Sequence, residues 1–298
     1  MRVHPRRVAS VPSGRGAGGS ATTARPAGTP REGAAERGLL LRAVALRILL
    51  PLTIPALILI TWQGVTTSQL LPHGLLPTPF ATLQGFRTWV LGGAAHGGPY
   101  SGTWLATVAV STERVVLGFC AAAVVGILLG LAIGRVSWAA AAVMPTFNGI
   151  RSIPAPAWLP IMLIFFGVSL AGQVVLIALV AFSPVVINTA LGASSVDPLL
   201  LRAARMLGAS RFQTLLRVVV PASLPSIFAG LRLALAFSWV ALVIAELAGA
   251  TSGIGYTLYQ AYYFDRPDIM LADMITVGAL GVLSDRVLRL VAKQITHT

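Results

Sequence analysis

Arg151 lies about twelve residues into an apolar run that Pro154, Pro156 and Pro160 interrupt. A buried arginine costs about 2.5–3.5 kcal/mol even on a lenient insertion scale, so it must face a cavity or a partner. Its planar fork of N–H donors suits a small oxyanion, and broken helices are where transport paths acquire free backbone groups. Two readings stand side by side. Arg151 either contacts a transported anion, or it braces the broken helix by binding freed carbonyls or pairing with Glu246. Asn148, Ser152, Trp158 and Trp239 are further candidates for a substrate path, each with packing or a satisfied hydrogen bond as the alternative. Glu246, ahead of Gly249 and Gly253, is expected to help shape a gate at the outer end of its span.

Other chemistry is poorly supplied. His4, His73, His96 and His297 are scattered through tail and loops, which suggests neither a metal site nor a histidine-based catalytic set. The only lysine, Lys293, precedes Gln294 and lies outside any glycine-rich turn, so no phosphate-binding loop is present. This chain is therefore expected to bind no cofactor and not to be an enzyme. Any ATP and Mg²⁺ must be handled by another subunit. The single cysteine, Cys120, excludes an intramolecular disulfide and reads as a small buried hydrophobe.

A second constellation fills residues 197 to 217. Asp197 followed by Pro198 is a helix start, an oxygen-bearing cap and then a proline where the missing N–H costs nothing. Leu199 to Leu207 should form a short helix, Gly208 a left-handed cap, and Ser210 the start of a second helix. Pro221 and Pro225 bracket entry into the next apolar run. Arg202, Arg205, Arg211 and Arg217 bias this loop towards the cytoplasm. A small Ala203-Ala204 surface, with Gly208 and Ala209 beyond Leu207, would let the groove of another protein approach closely.

These residues need a membrane frame. The 298 residues are 56% hydrophobic and 10% charged, and a mean hydropathy of +0.81 is too apolar for a soluble domain of this length. The net charge of +13 is concentrated at the start, where residues 1 to 47 hold nine arginines against Glu32 and Glu36. Residues 1–45 are expected to be a disordered cytoplasmic tail rich in Arg, Gly and Pro, a topology signal that contacts anionic lipid rather than nucleic acid. A cleavable secretory signal is not expected.

A crossing takes about 20 apolar residues. Six runs qualify, near Ile48–Val65, Thr103–Gly134, Ala139–Gly167, Gly172–Leu191, Leu224–Ala250 and Ile269–Leu290. Thr66 to Gly102 is read as an extracytoplasmic connection. Both termini and the 197–217 loop then fall in the cytoplasm, with a membrane domain over 46–293 and a short tail over 294–298. Arg232 and Glu246, fourteen residues apart, share a helical face but lie about 21 Å apart, so they cannot pair. Arg232 is expected to snorkel.

The spacing Arg202-Ala203-Ala204, three residues, Gly208, nine residues, Val218-Val219-Val220-Pro221 resembles the EAA loop of ABC-importer permeases. There the pattern is Glu-Ala-Ala, three residues, Gly, nine residues, Ile, one residue, Leu-Pro. Here Arg202 stands in place of the family's Glu. Arg114-Val115-Val116-Leu117-Gly118-Phe119, Arg151-Ser152-Ile153-Pro154, Phe166-Gly167-Val168, Gly230-Leu231-Arg232, Ala245-Glu246 and Gly253-Ile254-Gly255 are similar to landmarks of the nitrate, sulfonate and taurine branch. The resemblance covers roughly residues 46 to 293. It implies an all-α membrane protein of about six transmembrane helices with the type I importer permease fold, in the bacterial cell (inner) membrane.

The resemblance further implies a pair of permease subunits, a homodimer being expected, with separate ABC ATPase subunits and an extracytoplasmic solute-binding protein. The ATPase would be met by Asp197, Arg202, Ala203, Ala204, Leu207, Gly208, Ala209 and Arg211. The implied cargo is a small anion of the nitrate, sulfonate or taurine kind, with a pyrimidine-type vitamin precursor as the alternative. An ion-coupled secondary transporter would show acidic or histidine relays and internal repeats, which the sequence lacks. A simple membrane anchor would not need the proline-broken third run.

Overall fold

The computed structural model describes residues 50, 53–68, 76–92 and 100–296. The expected tail over 1–45 and the four histidines lie outside these residues. The chain divides into two compact units, Met1–Ile58 and Leu59–Thr298. In the first, residues 53–58 are helical and the Thr53 hydroxyl donates to the Leu50 carbonyl at 2.7 Å. The second opens with a helix over residues 59–67, here α1, and contains all that follows.

Ten further helices succeed it: α2 (Pro79–Leu91), α3 (Trp104–Arg135), α4 (Ser137–Arg151), α5 (Leu159–Phe166), α6 (Leu170–Ser194), α7 (Pro198–Met206), α8 (Arg211–Thr214), α9 (Val220–Leu247), α10 (Ile254–Tyr263) and α11 (Pro267–Thr296). No strand occurs among the described residues. The centre is made by α3, α6 and α9, whose apolar stripes meet through Val115, Ile177, Val185, Ile227, Leu235 and Leu242. Close approach here depends on small residues. A Cβ on Gly130 would sit 2.6 Å from the Thr189 Cβ and 2.8 Å from the Val186 carbonyl oxygen, so α3 and α6 could not hold their separation.

Around this centre, α11 packs on α2, α9 and α10. The Trp104 indole donates to the Thr276 hydroxyl at 3.3 Å, tying the start of α3 to α11. The connection read from Thr66 to Gly102 thus contains a helix of its own. Thr78 caps α2 by accepting from Ala81 N–H at 3.1 Å, with Pro79 in the first position.

The third apolar run is broken as its prolines require. Helix α4 ends at Arg151, a 3-10 turn covers Ala155–Trp158, and the two helical parts meet at 93°. The fifth run differs from expectation. One helix runs without interruption from Arg211 to Leu247, with Pro221 and Pro225 inside it. A π turn over Leu215–Val219, closed by Val220 N–H to the Leu215 carbonyl, lies immediately before Pro221. The wider turn accommodates the ring that a regular turn would reject.

Among the described residues, α3, α6 and the Arg211–Leu247 helix are long and apolar enough to cross a membrane, and the bent α4–α5 pair is a fourth candidate. The remaining two of six expected crossings are not marked by length and composition. Helix α11 is long enough but carries Asp273, Asp285, Arg286 and Arg289. It also continues to Thr296, past the expected domain boundary at 293.

Candidate functional site

The segment between α6 and α9 is built from local rules. Asp197 Oδ1 accepts from Leu199 N–H at 2.8 Å, and Pro198 opens α7. Gly208, at φ +78°, ends it: Gly208 N–H bonds the Arg205 carbonyl and Ala209 N–H the Ala204 carbonyl, both at 3.0 Å. That pair of bonds is a Schellman cap, which an L side chain at the positive-φ position strains. Ser210 and Gln213 then form a reciprocal capping box for α8 at 3.2 and 2.9 Å.

The caps fix which side chains the segment exposes. Leu201 and Ala204 turn inward. Asp197, Arg202, Ala203, Gly208 and Arg211 are exposed, Ala209 is half-buried, and Met206 and Leu207 stand 89% and 87% exposed at the tip. Ala204, expected on the docking surface, instead supports α7 from beneath. Met206 was missed by sequence reasoning. Its signal was an apolar residue off the buried stripe, directly before Leu207 and Gly208.

Arg151 lies at the end of α4, where its Nε donates to Asn148 Oδ1 at 2.9 Å and the Ser152 hydroxyl donates to the Asn148 carbonyl at 2.8 Å. Its two terminal amino groups have no protein hydrogen bond among the described residues. Arg151 borders a cavity of about 530 Å³ at the elbow between α4 and α5, with Trp158, Ser183 and Asn188 on its wall and Phe147 and Phe237 among its apolar lining. Arg151 and Trp158 are thus brought together at one cavity. Asn148 and Ser152 are exposed beside it.

The other two path candidates are elsewhere. Trp239 is buried, and its indole donates to the Ser284 hydroxyl at 3.0 Å. Glu246 is 1% exposed and its carboxylate is held by three donor groups. Arg114 Nη1 lies 2.5 Å from Oε1, Ser111 Oγ donates at 2.8 Å, and Gly255 N–H donates to Oε2 at 2.7 Å. Arg114 also donates to the Ser252 carbonyl at 2.7 Å and the Ser252 hydroxyl at 3.2 Å. The proposed Arg151–Glu246 pair does not form, because Arg114 holds that carboxylate. A desolvated carboxylate with this many donors is a structural pin rather than a lining group. The Gly253-Ile254-Gly255 turn cradles this internal anion through Gly255, and Ile254 N–H donates to Ser111 Oγ at 2.8 Å.

Two smaller expectations also change. Arg232 does not snorkel free: its Nε donates to Asp285 Oδ1 at 2.7 Å, and Arg289 binds the same carboxylate. Cys120 is exposed on α3 rather than buried. No group of three or more metal-ligating side chains occurs among the described residues.

Residues 122–297 match the family of binding-protein-dependent transport system inner membrane components. The chain belongs to that family. Curated relatives of the permease agree across most of its length. It is 32% identical over 244 residues to the putative aliphatic sulfonates transport permease protein of Bacillus subtilis, covering 82% of this chain and 85% of that one. It is 34% identical to the taurine transport system permease protein of Escherichia coli, with 81% and 86% covered. To the nitrate import permease protein of Synechocystis it is also 34% identical, with 80% and 86% covered. Among solved structures, an inward-facing form of the MetNI methionine ABC transporter superposes with a TM-score of 0.60 at 19% identity, over 67% of the permease and all of that chain. The fold is therefore that of an ABC-importer permease, and the permease is an integral membrane protein.

Proposed function

We propose that the permease forms the translocation path of an ATP-driven importer for a small anion of the nitrate, sulfonate or taurine class. It works as a homodimer with two separate ATPase subunits, which bind the ATP and Mg²⁺, and with an extracytoplasmic solute-binding protein. Both termini and the 197–217 segment lie in the cytoplasm, where Arg202, Arg205, Arg211 and Arg217 accord with the positive-inside bias. The substrate class rests on the named relatives.

The observation that carries the coupling role is the tip of α7. Met206 and Leu207 project, nearly fully exposed, from a helix locked by an Asp197 cap at one end and a Schellman cap at the other. Two exposed apolar side chains on a rigid cationic segment are a docking knob, not a solvated surface. Closure of the ATPases on ATP would draw two such knobs together. The motion would enter α9, whose helix is continuous with α8, and would close the path around the Arg151 cavity on that side while opening it on the other.

Arg151 is the residue assigned to the anion. Its two terminal amino groups are available for charge-assisted bonds to an oxyanion, with Trp158, Ser183 and Asn188 around the same cavity. The assembly is tested by purifying tagged permease in mild detergent from cells that express its operon. An ABC ATPase should co-purify in equal amount. Recovery of pure permease that transports on its own would overturn the proposal.

A further inference from the structure

Asp273 on α11 is 1% exposed, and among the described residues no hydrogen-bond donor reaches either of its carboxyl oxygens. It is alone in this. The other acidic side chains among the described residues are either exposed, as Glu113, Asp197 and Asp265 are, or bonded to arginine, as Glu246, Asp268 and Asp285 are.

Its place in the fold leaves it no counter-ion. Asp273 shares a face of α11 with Ile269, Ala272 and Thr276, all buried, and Ile269 and Ala272 pack with Trp89 of α2, Tyr100 and Ala261 of α10. The contact is close. A Cβ on Gly85 of α2 would lie 2.7 Å from Asp268 Oδ2, so the two helices touch near the start of α11. From α9, the charge that reaches Asp273 is a second carboxylate, that of Glu246, which repels it; Tyr100, ahead of α3, is also within electrostatic reach. Helix α10 carries no charged residue, only tyrosines, of which Tyr256 shares a cavity wall with Tyr100. On α2, Arg87 is exposed, off the buried Thr82, Gly85 and Trp89 face. The remaining cations are engaged: Arg114 by Glu246 and Ser252, and Arg266 by Asp268.

An ionised carboxylate without donor or counter-ion is strongly disfavoured in a protein interior, and such a group sheds its charge by taking a proton. A bound metal ion would need several oxygen ligands, and the other carboxylate within reach is already held by Arg114. We infer that Asp273 is a proton-binding site: the packing of α11 on α2 and α10 is built for the neutral carboxylic acid, and release of the proton weakens that packing. The stability this site contributes is present in acid and is lost as rising pH removes the proton. The site is separate from both the Arg151 cavity and the α7 tip.

The test is infrared spectroscopy of the full-length permease in detergent, with and without aspartate that carries a heavy carbon isotope in its side-chain carboxyl group. At neutral pH a carboxylic-acid carbonyl band should appear that shifts on labelling, is missing from Asp273→Asn, and disappears in alkaline buffer. The chain has five aspartates, and the other four are exposed or bonded to arginine, so the band is specific to Asp273. Thermal unfolding should show the wild-type midpoint falling by several degrees between neutral and alkaline pH relative to Asp273→Asn, which mimics the neutral acid and has no proton to lose. If Asp273→Asn does not fold, the labelled wild-type spectrum decides alone. Only ionised aspartate bands at neutral pH would overturn the inference. So would a wild-type midpoint that rises when sodium or potassium replaces choline at constant ionic strength, since Asp273 would then hold a cation.

Discussion

Arg114 and Glu246, 132 residues apart in the chain, meet at 2.5 Å between α3 and α9. Neither residue faces the Arg151 cavity. Their bond, together with those from Ser111 and Gly255, ties the α9–α10 corner to α3.

The first prediction follows from that pair. Arg114→Met and Glu246→Gln should each lower the stability of the purified permease by about 3–5 kcal/mol, because each strands a buried charge or its donors. The double variant should cost clearly less than the two together. Thermal unfolding in one detergent measures all four proteins. Strict additivity would show that the two side chains do not depend on one another.

Gly208→Val should abolish ATP-driven uptake and weaken ATPase association while the protein still reaches the membrane. The positive φ costs a β-branched residue about 1–2 kcal/mol locally, and since a Cβ there meets nothing within 4 Å, the added bulk projects outward. Gly208→Asn should retain more activity, because asparagine tolerates that φ. Arg202→Glu should be tolerated. Uptake assays with the co-purified ATPase quantified alongside give the answer, and a fully active Gly208→Val would remove the coupling role of the turn.

Arg151→Gln should reduce flux roughly tenfold to a hundredfold per folded complex, the worth of a charge-assisted bond, with little change in yield or basal ATPase activity. Arg151→Lys should recover part of it, keeping charge without the planar fork. Equal flux per folded complex in wild type and Arg151→Gln would assign Arg151 to bracing the elbow through Asn148 instead.

Topology can be read with single cysteines at Ser210 and Ser101 in a Cys120→Ser background. An impermeant thiol reagent should label Ser210→Cys only from the cytoplasmic side and Ser101→Cys only from outside. Labelling of both from one side would contradict the assignment of the 197–217 segment.

What was legible in the sequence is what local chemistry decides. The α7 turn was readable because Asp197-Pro198, Gly208 and Ser210 each satisfy backbone groups within a few residues. The elbow after Arg151 followed from three prolines. The α2 helix was equally legible from Thr78-Pro79 but was obscured by the prolines around it. The Arg114–Glu246 pin was not legible, since the identity of the partner depends on which helices pack together. A weak signal existed: opposite charges near corresponding ends of two apolar runs. The continuity of α9 through Pro221 was hidden for another reason, because a π turn is a response to packing that short-range pattern does not encode.

The central claim is that ATP bound by another subunit drives solute through this chain by way of the α7 tip. Its most direct test is uptake of labelled taurine, nitrate and an alkanesulfonate into proteoliposomes that contain the permease, its ATPase and its binding protein. The account predicts uptake of at least one of them that needs ATP, ATPase and binding protein together, and that Gly208→Val eliminates. Uptake that proceeds without the ATPase and follows an imposed ion gradient would contradict it.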